Sequence, residues 1–394
     1  MNIPIISSLL DNDFYKFTMQ NAVLKLFPNV KVQYKFINRG SHCFPKHFGE
    51  ILKEILSYMQ NLKLTNQERL YLEQYCPCFD SFYLNFLTNY RFDPKEITII
   101  QKYTNIKIYI EGLWSRTILW EVPLLALISE LYYKLTYLKH ISYEKIIYST
   151  IKKLIQYQNL DVKIGEYGTR RRFSYKVHKI ILKILNKKKY TSFIGSSNLH
   201  FSKNFSIKPI GTQGHEWIMF HAAKYGFYKA NKFAMINWIN IYKHKLYNIA
   251  LSDTYTSPLF FKNFNKKLSN QFEGIRHDSG DPFIFINNTL KHYNKFKINP
   301  LNKTIIFSDN LNPNKVANIS FFCKKKINTL FCIGTNFTND VGVPFLNIVI
   351  KIINTQYKKN KWIYVVKLSD NKTKSTGDKN MIMLAKKIVK KCLL

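Results

Sequence analysis

The sequence predicts an α/β protein built around parallel strands. From about residue 190 onward one pattern recurs, in which a short apolar run ends in small or acidic residues and a helix-compatible stretch follows. Repeated strand–loop–helix units are typical of a parallel sheet or an α/β barrel. The four apolar runs are Ser192-Phe193-Ile194, Ile249-Ala250-Leu251, Ile305-Ile306-Phe307 and Leu330-Phe331-Cys332-Ile333.

Polar residues follow each of these predicted strands. Because the carboxyl ends of parallel strands share one face in such folds, and active sites are built there, we expect these polar residues to line a single pocket. In chain order they are Gly195-Ser196-Ser197, Ser252-Asp253, Ser308-Asp309 and Gly334-Thr335.

The first third of the chain predicts a helix, a strand and further helices. Asp11 or Asp13 is a candidate cap for a helix whose apolar residues are Met19, Val23 and Phe27. Apolar and polar residues then alternate over residues 30–36, which is typical of a strand with one solvated face. Residues from about 116 to 160 are helical in period.

Alternation returns from about residue 341, at Leu346, Ile348 and Ile350 and again at Tyr364-Val365-Val366. We expect this tail to pack with the N-terminal part. The sequence therefore predicts two domains, an α/β domain of residues 1–115 with 341–394 and a barrel of residues 116–340 that carries the active site.

The charge is strongly positive, with 60 basic and 24 acidic residues among 394 and a formal net charge of +36. Only eight of the basic residues are arginine, the residue on which nucleic-acid interfaces depend for bidentate contacts. Lysine is scattered among abundant Ile, Asn, Tyr and Phe, so biased base composition explains the charge better than a nucleic-acid surface. A basic site for a phosphate-rich small substrate remains the alternative.

The six cysteines contain no CxxC pair and no zinc spacing. The first ten residues are too short and too uncharged for a signal peptide, and Glu121, Pro123 and Glu130 interrupt the longest apolar run. We therefore expect a cytoplasmic protein without a membrane or nucleic-acid partner.

Three stretches carry candidate chemistry. Residues 274–282, Gly-Ile-Arg-His-Asp-Ser-Gly-Asp-Pro, combine a cation, two carboxylates, an imidazole and a hydroxyl. Arg pairs with phosphate, and carboxylates accept from ribose hydroxyls or hold Mg²⁺, so this mixture suits a phosphorylated, polyhydroxylated ligand. The alternative is an exposed turn.

In the second stretch, residues 211–217, a helical pattern begins just after His215, which places His215 at a helix N-terminus. The free N–H groups and dipole of a helix N-terminus favour an anion and a neutral imidazole, as a phosphate-accepting nucleophile requires. The neighbouring Glu216 is a candidate to orient the ring. An ordinary capping histidine is the alternative.

The third stretch, residues 167–172, places Tyr167 before three of the eight arginines. An aromatic ring followed by Arg170 can stack on a planar substrate and hold its carboxylate or phosphate. A basic helix start that binds nothing is the alternative.

These stretches, in this order, resemble the nicotinate phosphoribosyltransferase family. The resemblance runs nearly end to end and includes several further segments, at residues 10–16, 36–40, 118–125, 307–311, 344–351 and 367–370. It implies the type II phosphoribosyltransferase fold, an irregular α/β barrel with an α/β domain formed from the N-terminal and C-terminal segments.

The resemblance also implies the reaction. Nicotinate and 5-phosphoribosyl 1-diphosphate would give nicotinate mononucleotide and diphosphate, with ATP as co-substrate and Mg²⁺ as cofactor. ATP hydrolysis would be coupled through a phosphohistidine at His215. A homodimer with shared active sites is implied as well, and we expect no protein side chain to be a dedicated metal ligand.

Carried over by position, the resemblance assigns Tyr167 to stacking on the pyridine ring, Arg170 to a place beside it and Ser197 to selection of the base. Related nicotinamide-using enzymes have a carboxylate at the Ser197 position, which would repel nicotinate. The other residues match ribose, phosphate or ATP contacts or residues donated across the dimer, namely Tyr15, Arg39, Arg276, Asp278, Asp281, Asp309, Gly334, Thr335, Lys351 and Lys367.

Three rival hypotheses remain. The same chemistry on nicotinamide or quinolinate is the nearest, and Ser197 argues against nicotinamide. A lysine-rich nucleic-acid-binding protein would have no use for His215 and the 276–281 string. An inactive relative is the third.

Overall fold

The structure is a computed structural model, and it describes residues 6–137, 141–211, 213–243, 248–358 and 361–394. The chain divides into two compact units, each assembled from two separate segments. Unit 1 comprises Met1–Gly211 and Ile333–Lys351, and unit 2 comprises Thr212–Cys332 and Ile352–Leu394.

Unit 1 contains an antiparallel sheet and a pair of parallel strands. The antiparallel strands lie in the order β1-β3-β2, and β4 pairs in parallel with β5. Its strands are β1 (Lys31–Asn38), β2 (Ile97–Lys102), β3 (Asn105–Leu113), β4 (Ile164–Glu166) and β5 (Phe193–Ser196). With helices numbered in chain order, it holds α1 (Phe14–Leu26), α2 (Phe48–Met59), α3 (Asn66–Tyr75), α4 (Ser81–Asn89), α5 (Trp114–Thr117), α6 (Glu121–Thr136), α7 (Tyr143–Asn159), α8 (Tyr175–Leu185), α9 (Leu199–Phe205) and α16 (Thr335–Thr338).

Unit 2 is built on four parallel strands in the order β9-β8-β7-β6. These are β6 (Ile249–Leu251), β7 (Gly274–His277), β8 (Thr304–Phe307) and β9 (Asn328–Ile333), and β10 (Ile348–Lys358) pairs with β11 (Lys361–Tyr364) in an antiparallel hairpin. The helices of the unit are α10 (His215–Tyr225), α11 (Ala230–Tyr242), α12 (Ser257–Asn263), α13 (Lys266–Gln271), α14 (Pro282–Lys295), α15 (Pro313–Cys323) and α17 (Lys379–Leu393).

The apolar strand residues form the centre of unit 2. Ile275 and Ile305, which face each other across β7 and β8, are fully buried. Because strands buried on both faces read as continuous apolar runs, the pattern in the sequence and the parallel pairing have one cause. Polar groups are consequently left at the ends of these strands.

The predicted α/β class is confirmed. All four apolar runs overlap observed parallel strands, whereas β7 lies inside the polar 274–282 stretch and has no alternation to reveal it. Closure into a barrel stays a prediction. The predicted division, with residues 1–115 and 341–394 in one domain and residues 116–340 in the other, differs from the two observed units. It also stays a prediction. No helix among the described residues is both long enough and apolar enough to cross a membrane.

Candidate active site

The carboxyl ends of β6 and β7 bring a buried imidazole and two carboxylates together in unit 2. His215 is the first residue of α10, with Gly214 as its N-cap. Asp253 follows β6 and Asp278 follows β7. Each of the three offers a ligand atom, and these atoms lie within 4.8 Å of one another. The predicted position of His215 at a helix N-terminus is confirmed.

Three side chains orient the His215 ring. Its Nδ1 lies 3.0 Å from Thr254 Oγ1, and its Nε2 lies 2.9 Å from both Asp278 Oδ2 and Lys367 Nζ. An ammonium can only donate and a carboxylate can only accept, so Nε2 has a partner in either neutral tautomer. With the proton on Nε2, Asp278 accepts it; with the proton on Nδ1, the Thr254 hydroxyl oxygen accepts it, Lys367 donates to the Nε2 lone pair, and the hydrogen bond with Asp278 is absent.

The His215 ring is neutral near pH 7. Burial and the Lys367 ammonium lower the pKa of His215 to about 4, although Asp253 and Asp278 act in the opposite direction. A ring that stays unprotonated in this range has a free nitrogen lone pair and can act as a nucleophile.

Lys367 connects the two carboxylates. Its buried Nζ lies 3.1 Å from Asp253 Oδ2 and 3.8 Å from Asp278 Oδ2. Burial alone would raise the pKa of Asp278, but the hydrogen bond with His215 and the charges of Arg276 and Lys367 hold it well below its usual range. Both acids are therefore ionised at neutral pH.

A second group of charges adjoins Asp278. Ser308, after β8, donates its hydroxyl to Asp278 Oδ1 at 2.6 Å. Lys374 pairs with Asp309 and lies 3.5 Å from the Asp278 carbonyl oxygen. Arg276 on β7 donates to the Gln213 carbonyl at 3.0 Å. The cluster thus combines the cations Arg276, Lys367 and Lys374 with the carboxylates Asp253, Asp278 and Asp309.

The donor set of this cluster fits a divalent cation. Asp253 Oδ1 is buried and makes no hydrogen bond among the described residues. Mg²⁺ prefers oxygen ligands and usually keeps one or two carboxylates together with substrate phosphates. Asp253 would hold it through Oδ1, because both oxygens of Asp278 are hydrogen-bonded, Oδ2 with His215 and Oδ1 with Ser308.

The 252–257 loop, which runs from the end of β6 to the first residue of α12, is strained. Thr256 has φ +72°, which is unusual for a β-branched residue and costs about 1–3 kcal/mol. The carboxylate of Asp370 accepts the Ser257 N–H at 2.8 Å and also the Ser257 hydroxyl. Burial raises the pKa of Asp370 to about 6 despite these two donors.

Unit 1 contains a separate buried charge cluster around Ser197. Ser197 is completely buried and donates its hydroxyl to Asp13 Oδ1 at 2.8 Å. Arg170 lies 4.0 Å from Asp13 and 3.4 Å from Glu121, and Lys16 pairs with Glu121 at 2.5 Å. Burial would raise the pKa of Glu121, but Lys16, Lys351 and Arg170 lower it to about 2.

The loops that carry Arg170 and Ser197 are joined by buried hydrogen bonds. Glu166, at the end of β4, accepts from the Gly168 N–H and from the Ser196 hydroxyl, the latter at 2.6 Å. Its pKa is lowered, since His178 and these donors outweigh the burial that would raise it. Glu166 therefore fixes the Tyr167 loop against the Ser197 loop.

The remaining predicted residues take several positions. In unit 1, Tyr167 donates its backbone N–H to Ile333, and Gly334 lies beside the Tyr167 carbonyl, where an added Cβ would be 3.4 Å away. Thr335 begins α16. Tyr15 is the second residue of α1, and Arg39 is exposed and donates its backbone N–H to Asn347.

Asp281, predicted to contact substrate, is exposed and caps α14. Its Oδ1 accepts the N–H groups of Phe283 and Ile284 at 2.8 and 2.9 Å. A substrate role for Asp281 stays a prediction. Of the 211–217 stretch, Thr212 lies outside the described residues.

Sequence reasoning missed several residues of both clusters. Thr254 and Asp253 directly follow a predicted strand, so position pointed to them, but no motif marked them as His215 neighbours. Lys374 gave no signal, and Asp370 was marked only as the last residue of the 367–370 segment of the family resemblance. Asp13 was a candidate helix cap; it is the N-cap of α1, yet its side chain makes no capping hydrogen bond and accepts from Ser197 instead.

Parallel strands with acidic, basic and imidazole groups at their carboxyl ends define an α/β enzyme. Comparison with known proteins identifies the family. The sequence model of the nicotinate phosphoribosyltransferase family matches residues 162–391, and the model of that family's N-terminal domain matches residues 10–129.

Individual relatives agree over almost the whole chain. Nicotinate phosphoribosyltransferase of Chromohalobacter salexigens is 49% identical over 385 residues, covering 98% of each chain. That of Desulforapulum autotrophicum is 43% identical, covering 95% of this chain and 96% of the relative. The crystal structure of nicotinate phosphoribosyltransferase from Porphyromonas gingivalis superposes with a TM-score of 0.94 at 40% identity, covering 98% of this chain and all of that one. The chain belongs to the nicotinate phosphoribosyltransferase family.

Proposed function

We propose that this enzyme makes nicotinate mononucleotide and diphosphate from nicotinate and 5-phosphoribosyl 1-diphosphate, and that ATP hydrolysis drives the reaction through phosphorylated His215. This would be the first step of NAD salvage from nicotinate. The observation that carries the proposal is a buried, neutral His215 at a helix N-terminus, held between Thr254, Asp278 and Lys367 in a chain of this family.

The charge of the unit 1 cluster supports nicotinate as the base. Two carboxylates, Asp13 and Glu121, lie with three cations, namely Lys16, Arg170 and Lys351. These cations can pair with the carboxylate of nicotinate, a group that nicotinamide lacks.

In the bound state Tyr167 would stack on the pyridine ring and Arg170 would pair with its carboxylate, while Tyr15 and Arg39 would act in a homodimer, as the family resemblance implies. The pyridine nitrogen needs no general base, since it is unprotonated near neutral pH. Positioning is consequently the main task of this cluster.

The unit 2 cluster supports binding of the phosphorylated sugar and of ATP. As diphosphate leaves, C1′ becomes cationic, and the pyridine nitrogen forms the new bond to it. Asp278 would contact the ribose, and Arg276, Lys367 and Lys374 would pair with phosphate oxygens. Lys351, Asp309, Gly334 and Thr335 remain predicted phosphate contacts. Bound Mg²⁺ would neutralise the diphosphate, because the carboxylates of this cluster already offset the charge of its three cations.

His215 would couple ATP to this reaction by covalent catalysis. With its proton on Nδ1 and hydrogen-bonded to Thr254, Nε2 attacks the γ-phosphorus of ATP and ADP leaves. Water later attacks the phosphohistidine and releases inorganic phosphate, which restores the free imidazole. Phosphorylation would tighten the site for substrate, and hydrolysis would release product.

The direct test is product formation from labelled nicotinate, 5-phosphoribosyl 1-diphosphate and Mg²⁺, with and without ATP. We expect nicotinate mononucleotide in both cases and a higher yield with ATP. Nicotinamide and quinolinate serve as competing bases. Absence of product under every condition would support an inactive relative, and salt-sensitive binding to unrelated DNA would then be measured.

Replacing Ser197 by aspartate is expected to weaken nicotinate selectivity. The new carboxylate would adjoin Asp13, whose Oδ1 lies 2.8 Å from Ser197 Oγ, and would repel the carboxylate of nicotinate. We expect the ratio of kcat/KM for nicotinate to that for nicotinamide to fall about tenfold or more. Ser197→Ala, which removes the hydroxyl without adding charge, is the matched control. Unchanged selectivity in Ser197→Asp would remove Ser197 from this role.

A further inference from the structure

We propose that Asp370 is a positioning residue for His215: its carboxylate holds the strained 252–257 loop in the conformation in which Thr254 orients the imidazole. The inference rests on the proposed function, because it concerns formation of the phosphohistidine. Among the described residues, the Asp370 carboxylate is hydrogen-bonded to Ser257 and not to His215 or Thr254.

The 252–257 loop carries two of the groups that control His215. Thr254 Oγ1 lies 3.0 Å from Nδ1, and Asp253 lies 3.1 Å from the Lys367 ammonium that touches Nε2. Displacement of this loop would therefore change the contacts at both ring nitrogens of His215. The proton on Nδ1 needs the Thr254 oxygen as its acceptor for Nε2 to act as the nucleophile.

The loop does not hold this conformation by its own preference. Thr256, with φ +72°, is in a region that threonine rarely adopts, and its buried hydroxyl makes no hydrogen bond among the described residues. Such a conformation persists only where the surrounding structure imposes it. Contacts outside the loop must supply that constraint.

One segment after β11, residues 366–370, supplies it. The Leu368 N–H donates to the Thr254 carbonyl at 2.9 Å, and the Tyr255 hydroxyl donates to the Val366 carbonyl at 2.8 Å. Asp370 closes the far end of the loop by accepting the Ser257 N–H and hydroxyl on its two oxygens. The loop is thus fixed on both sides of Thr256.

Asp370 also belongs to the same hydrogen-bond network as Asp253. Its backbone N–H donates to Ser279 Oγ at 3.1 Å, and Ser279 in turn donates to Asp253 Oδ2 at 2.6 Å. Gly280, next in the chain, has φ +88°, and an added Cβ there would approach the Asp370 Cβ to 2.9 Å. The turn after β7 is therefore shaped around Asp370.

The two hydrogen bonds between Asp370 and Ser257 predict which variants keep the loop in place. In Asp370→Ala, both Ser257 donors lose their acceptor. In Asp370→Asn, the amide oxygen can still accept the N–H, and the amide nitrogen can donate to the serine hydroxyl oxygen. Thr256→Gly removes the conformational penalty at this φ, so the loop no longer depends on the Asp370 hydrogen bonds to the same extent.

The experiment measures the rate of phosphohistidine formation from labelled ATP in wild type, Asp370→Ala, Asp370→Asn, Thr256→Gly and the double variant Asp370→Ala/Thr256→Gly. We expect Asp370→Ala to lower the rate about tenfold with little change in the KM for nicotinate. Asp370→Asn and Thr256→Gly should remain near wild type, and the double variant should recover most of the loss. A role in stability alone predicts an unchanged rate per folded molecule in Asp370→Ala, so the folded fraction of each variant is measured under the assay conditions.

A second readout does not depend on phosphorylation. The ¹⁵N chemical shifts of the His215 ring, assigned with a His215→Ala sample, report which nitrogen carries the proton. Wild type is expected to show one dominant tautomer, and Asp370→Ala to shift towards the average of the two. Unchanged shifts in Asp370→Ala, or a loss of rate that Thr256→Gly fails to relieve, would overturn the inference. If wild type forms no phosphohistidine, the proposed function fails, and the ring shifts still decide the role of Asp370.

Discussion

Replacing His215 by alanine is expected to abolish phosphoenzyme formation and to remove all stimulation by ATP. The imidazole is the candidate nucleophile, and the side chains hydrogen-bonded to it, a hydroxyl, a carboxylate and an ammonium, offer no neutral nitrogen lone pair in its place. We expect the ATP-stimulated component of the rate to fall at least about a hundredfold, as for removal of other covalent or acid–base groups. Labelled phosphate retained by the protein and nicotinate mononucleotide formed with ATP are the two measurements.

The reaction without ATP separates the nucleophile from substrate binding. Since His215 is not needed for attack of the pyridine nitrogen on C1′, a residual ATP-independent rate should survive in His215→Ala. His47→Ala is a suitable control, because His47 is an exposed residue paired with Glu50 and belongs to neither cluster. Retained phosphoenzyme in His215→Ala would assign the phosphorylated residue elsewhere.

Replacing Arg172 by methionine is expected to destabilise unit 1 strongly. Arg172 and Asp11 are each 1% exposed, and the guanidinium donates to both carboxylate oxygens at 2.8 Å. Removing one partner of a buried pair leaves the other charge uncompensated and costs about 3–5 kcal/mol. The free energy of unfolding, from urea denaturation, is the measurement.

Two comparisons sharpen this prediction. Lys25→Met breaks the more exposed Lys25–Asp80 pair, 2.6 Å long, and should cost at most about 1 kcal/mol. The double variant Asp11→Leu/Arg172→Met removes both buried charges and should recover part of the loss. A cost for Arg172→Met equal to that for Lys25→Met would contradict the assignment of a buried, structurally essential pair.

The same pair predicts a dependence of stability on pH. Burial would raise the pKa of Asp11, but Arg172 lowers it from 3.8 to about 2. A carboxyl with a lowered pKa in the folded state contributes stability that is full above the unfolded pKa and is lost as the pH falls from about 4 to about 2. The contribution is about 2 kcal/mol. It should be missing in Arg172→Met.

Local patterns predicted the parts of the fold that depend on neighbouring residues in the chain. The apolar runs at 249–251 and 305–307 appear as parallel strands, and the residues that follow them, Asp253 and Ser308, approach His215 or Asp278 as strand ends on one face should. The helix starting at His215 was visible for the same reason. Burial and periodicity are properties of short segments, so a single sequence carries them.

The partners of the functional side chains were not visible, because they come from distant parts of the chain. The Ser197 hydroxyl is bonded to Asp13, 184 positions away, and Lys367 Nζ lies 2.9 Å from His215 Nε2 across 152 positions. Asp370 belongs to the 367–370 segment of the family resemblance, but no local pattern linked it to Ser257. No periodicity links such positions. Only the structure shows that the Ser197 hydroxyl donates to Asp13 and that His215 lies against the Lys367 ammonium.

Each of the two units is built from two separate segments of the chain, which delays their folding on the ribosome. Unit 1 requires Ile333–Lys351 and unit 2 requires Ile352–Leu394, so neither can finish folding until nearly all of the chain has been synthesised. His215, Asp253 and Asp278 emerge long before Lys367, the ammonium that lies between them. Until that lysine arrives, the nascent chain exposes two unpaired carboxylates and unfinished strands. Chaperone protection during translation should therefore matter more for this enzyme than for a protein whose units follow one another along the chain.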